Sequence, residues 1–175
     1  MEPFITLAVV TCVLLLIGAF GVRGLRRFPT ALRGGLAAMF VLTGVSHFVG
    51  MREEMIAMVP GIIPAPELIV TLTGIAELAG AIGLLIPRLS LLAAAGLTLL
   101  LVGMFPANVT LALSGDQLPW YDQLLWRTLL QLVFLAATST VLIERYRTWR
   151  SARRLFGTAA GTRERSRWAV DKFGA

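Results

Sequence analysis

Between Pro3 and Val22 the sequence carries no charged residue, and a run of about 20 apolar residues is what one helix needs to cross roughly 30 Å of hydrocarbon. Four more such runs follow: Gly34 to Met51, Glu67 to Pro87 with only Glu77 inside it, Leu89 to Gly115 without charge, and Gln123 to Ile143 with Arg127 alone. A soluble domain of this length has no interior large enough for five of them. Hydrophobic residues make up 57% of the chain and charged residues 15%, far from the composition of a globular domain. The expectation is an all-α fold, a polytopic membrane helix bundle, because a helix satisfies its own backbone polar groups, as hydrocarbon requires.

Sixteen Lys and Arg against ten Asp and Glu would suit nucleic acid, but the cations are grouped by position. If five helices alternate direction, Arg23, Arg26, Arg27, Arg33, Arg88 and the cluster Arg145, Arg147, Arg150, Arg153 and Arg154 all fall on one side. That side reads as cytoplasmic. The opposite connections carry Arg52, Glu53, Glu54, Glu67, Asp116 and Asp122, a net acidic set. The N-terminus is therefore expected outside and the C-terminus in the cytoplasm of a cell membrane. The lipid bilayer is the expected partner and nucleic acid is not.

Glu2 precedes the first run and Arg23 follows it, the reverse of a secretory signal, so residues 1–27 read as a retained transmembrane anchor. Residues 28–146 read as a four-helix membrane core. Within it Met55 to Pro66 is apolar but too short to span, and Pro60, Pro64 and Pro66 oppose a continuous helix. Residues 52–66 therefore read as an extracytoplasmic cap. Trp120 and Tyr121 beside Asp122 mark a headgroup boundary. After Tyr146 the chain is rich in Arg, with scattered Trp149, Leu155, Phe156 and Trp168, and Gly157 and Gly161 break its periodicity. Residues 147–175 thus read as a basic cytoplasmic tail lying on anionic lipid.

Ionisable groups inside a span are costly and need a partner, a wet cavity or an interface within reach. Glu77 lies about 15 Å from the outer boundary at ~1.5 Å per residue, and Gln131 reaches a similar depth. Arg127, Asn108 and His47 lie nearer the outside, so the set implies a pocket opening outward. Thr73, Gly74, Gly80 and Ala81 flank Glu77 at helical spacing, and Thr43, Gly44 and Gly50 flank His47. Such small faces admit a neighbouring helix, so both side chains are expected to point inward. Gln123, Arg127 and Gln131 share one face at four-residue spacing, and Pro106 removes a helical hydrogen bond at a similar depth. A plainer arrangement of the same residues is a buried Glu77–Arg127 ion pair, with Asn108 and Gln131 as interhelical glue.

One cysteine, Cys12, and one histidine exclude a disulfide and any multi-residue Cys/His metal site within the chain. The segments Leu42 to Gly50 and Leu72 to Gly80 are alike, but small and apolar residues are common in all membrane helices.

Several of these landmarks recur together: Gly44-Val45-Ser46-His47-Phe48, Met58-Val59-Pro60 with Pro64 and Pro66, and Thr73-Gly74-Ile75-Ala76-Glu77-Leu78. Phe105-Pro106-Ala107-Asn108 and Leu125-Trp126-Arg127 with Gln131 complete them. In their order and spacing the chain resembles the DoxX-like family of small bacterial integral membrane proteins from about Leu32 to Glu144. The resemblance implies a four-helix DoxX-like core in the bacterial cytoplasmic membrane, with the first helix as an N-terminal addition. It also implies a link to quinone-dependent redox systems.

No thiol pair, dinucleotide fingerprint or paired haem histidines would let the chain carry electrons alone. Its leading role is then a membrane oxidoreductase component with a redox partner protein and a diffusible quinone as cofactor. His47 and Glu77 are the candidate catalytic pair; Arg127, Asn108 and Gln131 are the candidate ligand-binding groups. The alternatives are a stand-alone acid/base enzyme or binder for a lipophilic small molecule, and a transporter or assembly scaffold.

Overall fold

Proline opens three of the helices. Pro3, Pro29 and Pro66 occupy the first turns of α1 (Glu2–Phe20), α2 (Phe28–Ser46) and the helix Pro66–Leu85, where a missing N–H costs nothing because that donor has no helical acceptor. The computed structural model describes residues 1–113 and 123–173. Among them the remaining helices are a short α3 (Arg52–Met58), α4 (Pro66–Leu85), α5 (Ser90–Ala112) and α6 (Leu124–Phe173), with a single 3-10 turn, Arg23–Arg26, between α1 and α2. Asp116, Trp120, Tyr121 and Asp122 lie outside the described residues. Among the described residues five helices are long and apolar enough to cross a membrane, and the chain is an all-α, multi-pass membrane protein.

α2 begins six residues before the uncharged run of the sequence, at the Phe28-Pro29 start, and stops at Ser46. Gly50 was expected on a helical face with His47; it instead takes φ 84° in the turn that follows the helix, a conformation that favours glycine. Ala65, between two prolines, takes φ 56° at the entry to α4, and the turn reverses the chain there. Gly157 and Gly161 do not interrupt α6, which continues to Phe173. Each glycine costs about 1 kcal/mol against alanine in a helix, and the Arg, Ala and Leu around them are strong enough helix formers to absorb it.

Two compact units result, residues 1–142 and a second beginning at Ile143. Within the first, side-chain contacts fix antiparallel neighbours throughout. Gly34 faces Leu14, and Gly35 faces Leu7 and Thr11; Gly44 faces Leu78, and Gly74 faces His47; Gly80 faces Leu97, and Gly83 faces Ala93. Small residues let the backbones approach where lipid supplies no hydrophobic force between helices. Arg26 closes α1, donating from Nε to the Gly18 carbonyl at 3.2 Å and from Nη2 to Ala19 at 3.3 Å, which satisfies carbonyls left over at the helix end.

The packed core lies toward the α4–α5 hairpin: Leu36, Phe40, Leu84, Ala94, Leu97 and Val141 are buried together. Beside this core the helices part around a cavity that follows α5. In the second unit Arg153 stacks over the Trp149 ring at 4.7 Å, a cation–π contact.

A Cβ on Gly74 would sit 2.6 Å from His47 Cβ and 2.9 Å from the Phe48 ring, so Gly74→Ala must push α4 from α2. The expected loss is about 1–3 kcal/mol, read as a lower unfolding midpoint in detergent. Gly96→Ala, where a Cβ meets nothing within 4 Å, should not lower it.

Candidate functional site

His47, Glu77, Asn108, Arg127 and Gln131, on the end of α2, the middle of α4, α5 and α6, all line one cavity of about 970 Å³. The segment 52–66 borders it with Met55, Met58, Val59, Pro60 and Ile63. The segment expected to form a cap thus lies along the cavity, with α3 only seven residues long before Pro60. Arg52 fastens this cap. Its guanidinium donates to the His47 carbonyl at 3.2 Å, to Thr71 Oγ1 at 3.0 Å and to the Glu67 carbonyl at 3.5 Å, joining the end of α2 to the start of α4.

His47 is 2% exposed. Its Nδ1 lies 2.9 Å from the Thr43 carbonyl, and a carbonyl only accepts, so Nδ1 carries the proton. The neutral ring then presents Nε2 as an acceptor. Burial pushes the imidazole below its ordinary value; the Thr43 carbonyl opposes this and the Arg52 cation adds to it. The unfolded chain therefore takes up the extra proton first. The stability due to neutral His47 is complete above about pH 6.5 and is lost as pH falls below it. Between pH 7 and 5 the unfolding midpoint should fall more for the natural chain than for His47→Gln.

Glu77 is 3% exposed. Its carboxyl meets the Thr43 hydroxyl, Oγ1 to Oε2 at 2.5 Å, and among the described residues it forms no ion pair with Arg127. The alternative Glu77–Arg127 pair does not form: Glu77 meets Thr43 on α2, and Arg127 reaches Asn108 on α5. Arg127 Nη1 donates to Asn108 Oδ1 at 3.0 Å, which commits the Asn108 oxygen and leaves its amide N–H groups as donors. Gln131 Nε2 donates to the Leu101 carbonyl at 2.5 Å, so this residue ties α6 to α5 and keeps its oxygen and one further N–H. Gln123 precedes α6 and is exposed. Pro106 lies inside α5 and borders the cavity.

Two features of the site were not singled out from sequence. Thr43, which contacts both Glu77 and, through its carbonyl, His47, sits one turn before His47 on the same face. The second is a thioether wall: of six methionines in the chain, Met39, Met51, Met55, Met58 and Met104 line the cavity. The spacing of Met51, Met55 and Met58, four then three residues, was the available signal. Methionine is flexible and polarisable and adapts to the shape of a ligand. The cavity therefore has a basic and hydrogen-bonding end within a wall that is otherwise apolar. Among the described residues no group of three or more His, Cys, Asp or Glu could hold a metal ion.

No curated protein and no solved structure matches the chain. Residues 36–142 match a family model described as a domain of unknown function, DUF8561; the matched stretch contains α4, α5 and all five polar cavity residues. On that match, which covers more than half of its length, the chain belongs to the DUF8561 family.

Proposed function

We propose that this protein binds a diffusible quinone in the cavity, as the membrane component of a redox system whose electrons come from a partner protein. The observation that carries the reading is the convergence of buried His47, buried Glu77 and half-buried Arg127, from the end of α2, from α4 and from α6, on one Met-walled cavity of about 970 Å³. The DoxX-like likeness of the motifs around those residues supports the same reading. A quinone fits the donor set: it is a flat apolar ring bearing two carbonyl oxygens, and it accepts two electrons and two protons on reduction to the quinol.

Arg127 supplies a cationic donor to one oxygen, where charge builds on reduction, and the amide N–H groups of Asn108 extend that donor set. His47 and Glu77 handle protons. With Nδ1 held by the Thr43 carbonyl, His47 exchanges protons through Nε2. Glu77 exchanges a proton with the ligand, its carboxyl held in place by the Thr43 hydroxyl. The Met wall excludes water from the reacting oxygens.

The Arg residues at the α1–α2 and α4–α5 connections support an orientation with this cavity on the extracytoplasmic side of a bacterial cytoplasmic membrane and the N-terminus outside. A C-terminal alkaline phosphatase fusion should therefore be inactive; periplasmic activity would overturn the orientation. The quinone reading is tested by mass spectrometry of lipids extracted from gently solubilised protein. Quinone retained by the natural chain and lost from Arg127→Met supports it. Quinone absent from the natural chain, in a membrane that contains quinone, would sink it.

A further inference from the structure

The cavity is longer than its polar end requires. Its lining follows α5 from Asn108 back to Leu92, about 24 Å at ~1.5 Å per residue, whereas the polar side chains of α6 meet α5 only between Leu101, which Gln131 bonds, and Asn108, which Arg127 bonds. Beyond them the seam between α4 and α5 is lined by glycine, alanine and leucine. The glycines of the two helices differ in what they meet. A Cβ on Gly80 or Gly83 of α4 would collide with Leu97 or Ala93, so helix packing accounts for both. A Cβ on Gly96 or Gly103 of α5 would meet nothing within 4 Å, yet both line the cavity. Packing within the chain accounts for neither, although glycine weakens a helix interior. Leu92, Gly96, Leu99 and Gly103 form one stripe at helical spacing, and Leu92 and Leu99 are 74% and 73% exposed. The far part of the cavity therefore opens sideways toward lipid.

We infer that the ligand is a tailed amphiphile whose hydrocarbon chain lies in the α4–α5 groove along Gly96 and Gly103 and enters laterally from the bilayer, with its head at His47, Glu77 and Arg127. The identity of the head rests on the function proposed above; the tail does not. A second copy of the chain is the competing occupant of this face. A helix of about 10 Å diameter covers such a groove from outside without filling it, whereas a single hydrocarbon chain reaches the buried end without a break in apolar contact.

The test uses Gly96→Leu and Gly103→Leu, with Gly96→Ala as the milder variant, in the full chain. Each adds side chain to open space, so unfolding midpoint and size-exclusion profile should match the natural protein. Binding of decyl-ubiquinone and of the same quinone ring without its tail is measured by quenching of tryptophan fluorescence. The leucine variants should weaken the tailed quinone by about ten-fold or more, as displaced methylenes lose apolar contact, and leave the tail-less ring unchanged. Equal affinity for the tailed quinone in natural and leucine variants overturns the groove, as does an equal loss for both ligands. A dimer that the leucine variants break, with ligand affinity unchanged, assigns the face to a second copy and overturns it too. If neither quinone binds the natural chain, the quinone reading fails and the co-purifying lipids decide: a tailed lipid kept by the natural chain and lost from Gly96→Leu upholds the groove, and equal retention or none sinks it.

Discussion

Glu77→Gln should insert and fold as the natural chain does yet lose quinone turnover by about 10²–10⁴-fold, the usual effect of removing a positioned proton-transfer group. The carboxyl is 3% exposed and its contact is the Thr43 hydroxyl. An amide of the same shape keeps that contact, because its oxygen accepts the Thr43 proton, but it cannot exchange a proton itself. The substitution thus separates packing from chemistry. Folded yield and quinone reduction in membranes are measured together. Full turnover in a normally folded Glu77→Gln protein would leave Glu77 a polar packing residue and remove the proton step.

Arg127→Met should lower quinone affinity by about ten- to a hundred-fold, since a hydrogen bond from a charged donor contributes ~1.5–3 kcal/mol and ~1.4 kcal/mol is a factor of ten. Methionine preserves most of the apolar stem but removes the guanidinium that donates to Asn108 at 3.0 Å. Arg127→Lys retains the charge without the planar fork and should recover only part of the affinity. Binding to purified protein is the measurement. Unchanged affinity in Arg127→Met would show that the cation holds Asn108 and α5, not a ligand.

The spans and the buried polar set were legible in the sequence because hydrocarbon penalises charge so strongly that any Glu, Arg or His inside a run has to be accommodated. His47, Glu77, Asn108, Arg127 and Gln131 could therefore be gathered by depth alone. Their pairing could not. Whether Glu77 meets Arg127 or Thr43 depends on the rotation of α4 against α2, which Gly44 and Gly74 set by letting Leu78 and His47 close in. Periodicity gives the face of a helix but not the identity of its neighbour. Gly157 and Gly161 break the pattern of the last segment without ending α6, because the cost of two glycines is small beside the helical tendency of the residues around them. The lateral groove was hidden because a glycine that packs and a glycine that faces a void are the same letter.

The cap has a bearing on how the molecule breathes. α3 buries no residue, and its side-chain anchorage at its first residue is the fork of Arg52 on the His47 carbonyl and Thr71. Leu36, Leu84, Ala94 and Val141, by contrast, are buried together beside the α4–α5 connection. Cooperative free energy is thus stored at one pole of the first unit and scarce at the other, the pattern that lets a protein open sub-globally without melting. Lifting α3 exchanges a few hydrogen bonds at one guanidinium for water and leaves the interlocked helices undisturbed. The polar end of the cavity can then exchange protons with the aqueous phase on the timescale of a local fluctuation, while a ligand held from the membrane side stays in place.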